Sequence, residues 1–137
     1  MRHDAGVSES RHLGVHIDRP AAEVYRWARD PAHLPRWAAG LAAGIRYDAG
    51  EWVAESPMGR VVVRFAPENP YGVLDHDVVL PDGTTVTNPL RVLPDAGGCE
   101  VVFTLRRRPA VDDAAFDADA AAVTADLATL KRVLERG

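Results

Sequence analysis

Residues 112–136, DDAAFDADAAAVTADLATLKRVLER, decide the fold of this chain. Apolar residues recur there in alternating steps of three and four, which places them on one face of a long helix. These residues are Phe116, Ala120, Val123, Leu127, Leu130 and Leu134. Pro109 blocks extension upstream, and Asp112 or Asp113 can cap the first turn. The stretch therefore predicts a helix over residues 112–136 with an apolar face that needs a partner.

The partner is predicted from residues 11–108, which consist mostly of short alternating segments separated by turn residues. This pattern indicates an antiparallel sheet of about six or seven strands packed on the C-terminal helix, an α+β fold. Two short helices are expected after the first strand, one near Pro20 and one over residues 31–37. The length of 137 residues suits one domain over residues 1–137, with residues 1–10 as a flexible lead-in.

The segment from residue 73 to residue 92 predicts a hairpin with a defined register. Pro, Asp and Gly at positions 81–83 are typical of a three-residue turn with a bulge. This turn places Val78 opposite Val86 and His76 opposite Asn88, with the apolar residues on a common face. Two polar side chains are thus expected on the inner face. They either form a ligand site or hydrogen-bond each other within an ordinary core.

Composition and charge limit the range of functions. The net charge is -4, so a nucleic-acid partner is not expected. No segment resembles a membrane span, and the one cysteine, Cys99, rules out an intrachain disulfide, so a cytoplasmic location is expected. No metal-ligand cluster or phosphate-binding loop is evident, and neither a metal nor a cofactor is expected. Arg106, Arg107 and Arg108 are interpreted as a solvated strand end.

Two segments carry a resemblance to a known family. They are IDRPAAEVY at 17–25 and DPAHLPRW at 30–37, followed by the strands and the long helix. With this order of elements, the chain resembles the START-like or SRPBCC superfamily with the Bet v 1-like helix-grip fold, and within it the bacterial polyketide cyclase/dehydrase-like proteins. The resemblance implies a strongly curved sheet that grips the long helix, with a cavity between them that holds a lipid-, polyketide- or steroid-like molecule.

We therefore expect binding of a hydrophobic or aromatic small molecule. The alternatives are a polyketide cyclase/dehydrase-type enzyme, with His76 and Asn88 as candidate catalytic residues, and a stress-response or interaction module with a collapsed cavity. Ligand cavities are mostly apolar with a few polar groups. On that basis the candidate ligand-binding residues are His76, Asn88, Trp52, Phe103, Phe116, Ala120, Trp37 and Phe65. The sequence gives no indication of the oligomeric state.

Overall fold

The computed structural model describes residues 9–136 and has an α+β architecture with eight strands and two α-helices. Residues 1–8 of the expected lead-in lie outside the described residues, and Ser10 already begins the first strand. The strands are β1 (Ser10–Ile17), β2 (Ile45–Asp48), β3 (Glu51–Ser56), β4 (Gly59–Phe65), β5 (His76–Val79), β6 (Thr85–Asn88), β7 (Leu90–Asp95) and β8 (Gly98–Arg106). The helices are α1 (Ala21–Ala28) and α2 (Asp113–Arg136), with short 3₁₀ helices at Pro31–Arg36 and Ala39–Leu41.

The antiparallel strands form two hydrogen-bonded sheets, one in the order β1-β8-β7 and one in the order β2-β3-β4-β5-β6. The chain passes from one sheet to the other at Pro89, between β6 and β7. Proline has no N–H and cannot take part in a regular ladder, so the strand bends there. Leu74 N–H donates to Leu90 O at 2.8 Å across this bend. The two sheets are therefore joined as the two halves of one curved surface.

The predicted hairpin register is confirmed. His76 pairs with Asn88 and Val78 pairs with Val86, as the turn residues require. Gly83 lies at the turn with a φ of 89°, a left-handed conformation that glycine adopts without strain. The inner face of the five-stranded sheet consequently carries His76 and Asn88 together.

Helix α2 lies over this curved surface and is anchored at both ends. The Asp112 carboxylate accepts from Ala115 N–H at 2.8 Å, which confirms the predicted N-terminal cap. Near the other end, Lys131 Nζ donates to His16 O at 2.7 Å, and Glu135 accepts from Asp18 N–H. The predicted apolar face turns inward, with Phe116, Ala120, Leu127 and Leu130 buried.

The segment after α1 closes one end of the space between α2 and the five-stranded sheet. Asp30 caps the first 3₁₀ helix by accepting from Ala32 N–H at 3.0 Å. Leu34 and Trp37 are buried, with 2% and 5% of their surfaces exposed. This placement brings both side chains into the wall of an internal cavity.

Candidate ligand-binding cavity

A cavity of about 430 Å³ lies between α2, the five-stranded sheet and the two 3₁₀ helices. This volume falls in the range of small-molecule sites in proteins. Its deep wall is formed by buried side chains from four segments of the chain: Leu34, Trp37, Val61, Val63, His76 and Leu127. Exposed residues mark its mouth: Gly40, Pro57, Met58, Asp119 and Ala122.

His76 is a buried histidine with a defined tautomer. Its Nδ1 lies 3.0 Å from Leu74 O, and because a carbonyl oxygen only accepts, Nδ1 carries the proton. The ring stacks on Phe65 at 4.8 Å between centroids and meets the edge of Phe103 at 6.4 Å. Burial lowers the pKa of His76, against the opposing effects of the Leu74 hydrogen bond and of Asp75 and Asp77. The ring is therefore neutral at pH 7, with Nε2 as a hydrogen-bond acceptor.

His76 and Asn88 are register partners, and both line the cavity. Within residues 9–136 no hydrogen bond joins the two side chains, and the His76 ring donates from Nδ1 to Leu74 O. The interpretation of the pair as a mutually bonded core contact is therefore wrong. Both side chains remain available to a molecule inside the cavity.

Trp37 lines the same wall, but its indole Nε1 is inaccessible to a molecule in the cavity. This nitrogen is buried and has no hydrogen-bond partner within the described part of the chain. Buried donors without partners are rare in folded proteins, and such a donor costs about 1–3 kcal/mol. Trp37 therefore contributes aromatic surface to the cavity rather than a hydrogen-bond donor.

Helix α2 contributes two carboxylates, Asp119 and Asp126. They are seven residues apart and share one helix face with Val123. Asp126 Oδ1 accepts from Ala39 N–H at 3.1 Å and so links α2 to the second 3₁₀ helix. Burial raises the pKa of Asp126, and the Ala39 hydrogen bond lowers it in part.

The structure brings four of the eight candidate residues together in the cavity wall: Trp37, His76, Asn88 and Phe103. Phe65 lies behind His76 and supports its ring rather than lining the cavity. Trp52 faces a separate depression beside Phe65 and Pro31. Trp52 and Phe103 are far apart in strand order, because β3 and β8 belong to different sheets.

Phe116 and Ala120 are buried but lie outside the cavity wall. The Phe116 ring lies beneath the guanidinium of Arg11, at 4.3 Å, and that of Arg107, at 5.5 Å, near the start of α2. The cavity lies against the middle of the helix, from Asp119 to Leu127, and Phe116 packs below the N-terminal end of the helix.

Several wall residues were not anticipated from the sequence. Asp119 and Asp126 could have been found, because their spacing of seven places two acids beside the apolar position Val123. Leu41 and Met58 lie in connecting segments without a periodic pattern, and only packing brings them to the cavity. For these two residues the sequence contains no usable signal.

The structure also shows the surroundings of Cys99 and of the arginines at positions 106–108. Cys99 lies in β8 rather than in a turn and is fully buried, and burial raises the pKa of its thiol. Arg107 forms ion pairs with Glu9 at 3.0 Å and Asp113 at 2.8 Å, while Arg106 and Arg108 are exposed. Neither feature forms part of the cavity wall.

Within residues 9–136, no group of three or more histidine, cysteine, aspartate or glutamate side chains is arranged to hold a metal ion. No helix in the same range is long and apolar enough to cross a membrane.

A curved antiparallel sheet, a long C-terminal helix and a cavity between them define the helix-grip class of proteins. The chain belongs to the family described as "Polyketide cyclase / dehydrase and lipid transport", whose sequence profile matches residues 5–135. This confirms the resemblance found in the sequence. No curated protein shows significant sequence similarity to the chain.

Solved structures support the same fold at low sequence identity. The protein XoxI from Bacillus cereus is 12% identical, with a TM-score of 0.70 over 90% of this chain and 94% of that chain. Ara h 8.0201 is 11% identical, with a TM-score of 0.71 over 96% and 100%. The di-domain ARO/CYC BexL from the BE-7585A biosynthetic pathway is 20% identical, with a TM-score of 0.66. The match to BexL covers 93% of this chain but 46% of that chain, so this chain corresponds to about half of BexL.

Proposed function

We propose that this protein, as one START-like domain, binds a hydrophobic or aromatic small molecule in the cavity between the five-stranded sheet and α2. The observation that carries the proposal is the apolar cavity of about 430 Å³, with few polar groups on its wall. Val61, Val63, Val78 and Phe103 supply the apolar surface. His76 and Asn88 would orient the ligand.

The open cavity favours a ligand-dependent function over an interaction module with a collapsed interior. A filled space between helix and sheet would leave no room for a small molecule, whereas this space matches the size of known ligand sites. Membership of the family supports the same general function, because its description includes lipid transport.

The proposal is tested by filling the cavity. Ala122 and Ala121 are neighbouring exposed positions of α2, but only Ala122 lines the cavity. We expect Ala122→Trp to weaken binding of an apolar fluorescent probe at least tenfold, while Ala121→Trp retains wild-type affinity. Titration of probe fluorescence measures both. Equal affinity of the two variants would contradict the proposed site.

A thermal shift gives an independent readout. A ligand that binds only the folded state at about 100 times its Kd stabilises that state by about 2.7 kcal/mol. The melting temperature of the wild type should therefore rise by several degrees, and that of Ala122→Trp should stay nearly constant. Mass spectrometry of the natively purified protein would show which molecule it carries.

A second candidate function is catalysis of cyclisation or dehydration on a polyketide-like substrate. The observation that favours it is the neutral His76, whose Nε2 is a proton acceptor beside an amide, Asn88. Such an acceptor could remove a proton next to a carbonyl group, and the Asn88 amide could donate to the carbonyl oxygen. Turnover that survives both His76→Ala and Asn88→Ala would exclude these roles.

A further inference from the structure

The His76 side chain is held on the inner face of the five-stranded sheet. It stacks on Phe65, its register partner in β4, at 4.8 Å between ring centroids. From β8 in the other sheet, Phe103 meets the His76 ring at 6.4 Å, and Phe103 lines the cavity. The next position of β5 on the same face, Val78, lines the cavity as well. The imidazole therefore lies between two aromatic rings at the cavity wall.

The two nitrogens of this ring have different surroundings. Nδ1 lies 3.0 Å from Leu74 O and donates to it. The nitrogens of an imidazole point away from each other, so Nε2 is directed away from this carbonyl. Within residues 9–136 no hydrogen bond engages Nε2, and this atom is not sealed from solvent as Trp37 Nε1 is. A molecule in the cavity thus meets an acceptor nitrogen that has no partner in the described part of the chain.

The other polar groups of the wall do not set the same requirement. Ser56 Oγ makes its hydrogen bonds within its own turn. Asp119 lies at the exposed mouth, and Asp126 accepts from a backbone N–H of the second 3₁₀ helix. The Asn88 amide carries both a donor and an acceptor, so it suits either kind of ligand group. His76 Nε2 only accepts, and it therefore distinguishes a ligand that donates from one that does not.

We propose that His76 Nε2 selects ligands that donate a hydroxyl hydrogen, and that the ligand is an apolar molecule with a phenol, enol or alcohol group. This inference rests on the proposed binding function and adds the chemical class of the ligand. A ligand without a donor would exclude water from Nε2 and leave a buried acceptor unsatisfied, which is unfavourable. Asn88, the register partner of His76, would donate to a second oxygen of the ligand, such as a carbonyl beside the hydroxyl.

The test uses three probes with the same naphthalene body: 2-naphthol, 2-methoxynaphthalene and 2-methylnaphthalene. The first carries a hydroxyl hydrogen, the second keeps the oxygen without that hydrogen, and the third has neither. Competition against an apolar fluorescent probe near neutral pH gives their dissociation constants. The three compounds differ in their own hydration, so the affinity of each is compared between the wild type and a variant rather than with that of the other two.

His76→Phe keeps an aromatic ring beside Phe65 and removes the acceptor. We expect this variant to bind 2-naphthol about tenfold more weakly, as for one hydrogen bond lost in a buried site, and the other two probes within about twofold of the wild type. His33→Phe is the matched control. His33 also has Nδ1 beside a backbone carbonyl, Trp27 O at 2.7 Å, and also stacks on an aromatic ring, that of Trp27, but it lies outside the cavity wall. The control should bind all three probes as the wild type does.

Nitrogen nuclear magnetic resonance gives a direct readout in the unmodified protein, whether or not a variant folds. The Nε2 signal of His76 should move on addition of 2-naphthol and much less on addition of 2-methoxynaphthalene. Unchanged affinity of His76→Phe for 2-naphthol would overturn the role of His76. An equal loss for 2-naphthol and 2-methoxynaphthalene would overturn it too, because a change in cavity shape would then explain the result. If none of the three probes binds the wild type, the proposed function fails and this inference fails with it.

Discussion

At the scale of single residues, His76 shows how burial and a local hydrogen bond determine chemistry. Its Nδ1–H is held by Leu74 O, and only 8% of its surface is exposed. The neutral form is favoured because a positive charge on the buried ring would lose its solvation by water and would have no full partner in the protein. His76 is consequently an acceptor and a base, and it cannot serve as a permanent cation for an anionic ligand.

This arrangement predicts a pH dependence of stability. The unfolded chain takes up a proton on His76 near pH 6.5, whereas the lowered pKa delays uptake in the folded protein to lower pH. Between these values the unfolded state binds more protons, so the free energy of unfolding falls as the pH drops. The loss from this group should begin below about pH 6.5, at no more than about 1.4 kcal/mol per pH unit.

Comparison with His76→Gln isolates the effect of this histidine. Urea unfolding at pH 5 to 8 gives the free energy of unfolding at each pH. This free energy should change less steeply with pH in His76→Gln than in the wild type. In His12→Gln, at an exposed position, it should change with pH as in the wild type. The pKa of Asp126 is raised in the folded protein, so protonation of Asp126 stabilises the folded state as the pH drops. The effect of His76 is therefore measured as the difference in the free energy of unfolding between His76→Gln and the wild type. Identical slopes for His76→Gln and wild type would contradict the buried neutral ring.

At the scale of elements, the bend at Pro89 connects the sheet that carries the candidate site with the sheet that contacts α1. The Asp75 carboxylate stabilises this bend by accepting from Leu90 N–H and from two Arg91 nitrogens, each at 2.9 Å. The Arg91 guanidinium holds the pKa of Asp75 below its usual range. Asp75 therefore connects the end of the β5–β6 hairpin to the start of β7.

Removal of this carboxylate should destabilise the protein. Asp75→Ala leaves the Leu90 N–H without its partner next to a fully buried side chain, and we expect a loss of about 1–3 kcal/mol. Asp77→Ala is the matched control on the same strand face, since Asp77 accepts from Thr87 Oγ1 at the surface. Chemical denaturation should rank the two losses in this order, and a larger loss for Asp77→Ala would refute the assigned role.

At the scale of the whole molecule, one part of α2 lines the cavity and another part packs in the hydrophobic core. Its middle faces the cavity through Asp119, Ala122, Val123 and Asp126, whereas Leu130 lies in the hydrophobic core outside the cavity wall. Leu127 belongs to both regions. Stability and ligand binding should thus respond separately to substitutions only a few residues apart.

Leu130→Ala tests this separation. Loss of a fully buried leucine should lower the free energy of unfolding by about 2–5 kcal/mol, while Leu93→Ala, at an exposed position, should change it by less than about 0.5 kcal/mol. The folded Leu130→Ala protein should bind an apolar probe within about threefold of the wild type. A tenfold weaker affinity in the folded variant would show that the two regions are not separate.

The sequence by itself determined the long helix, its cap at Asp112 and the hairpin register that pairs His76 with Asn88. These features depend on periodicity and turn residues within about 25 residues of chain, where local geometry is decisive. Only the tertiary structure decided where the cavity lies, that Trp52 and Phe116 are outside its wall, and that Trp37 and Asp126 share it. The physical reason is that the wall combines side chains from distant segments, and their convergence depends on the bend at Pro89 and on packing of α2 against β1 and β8.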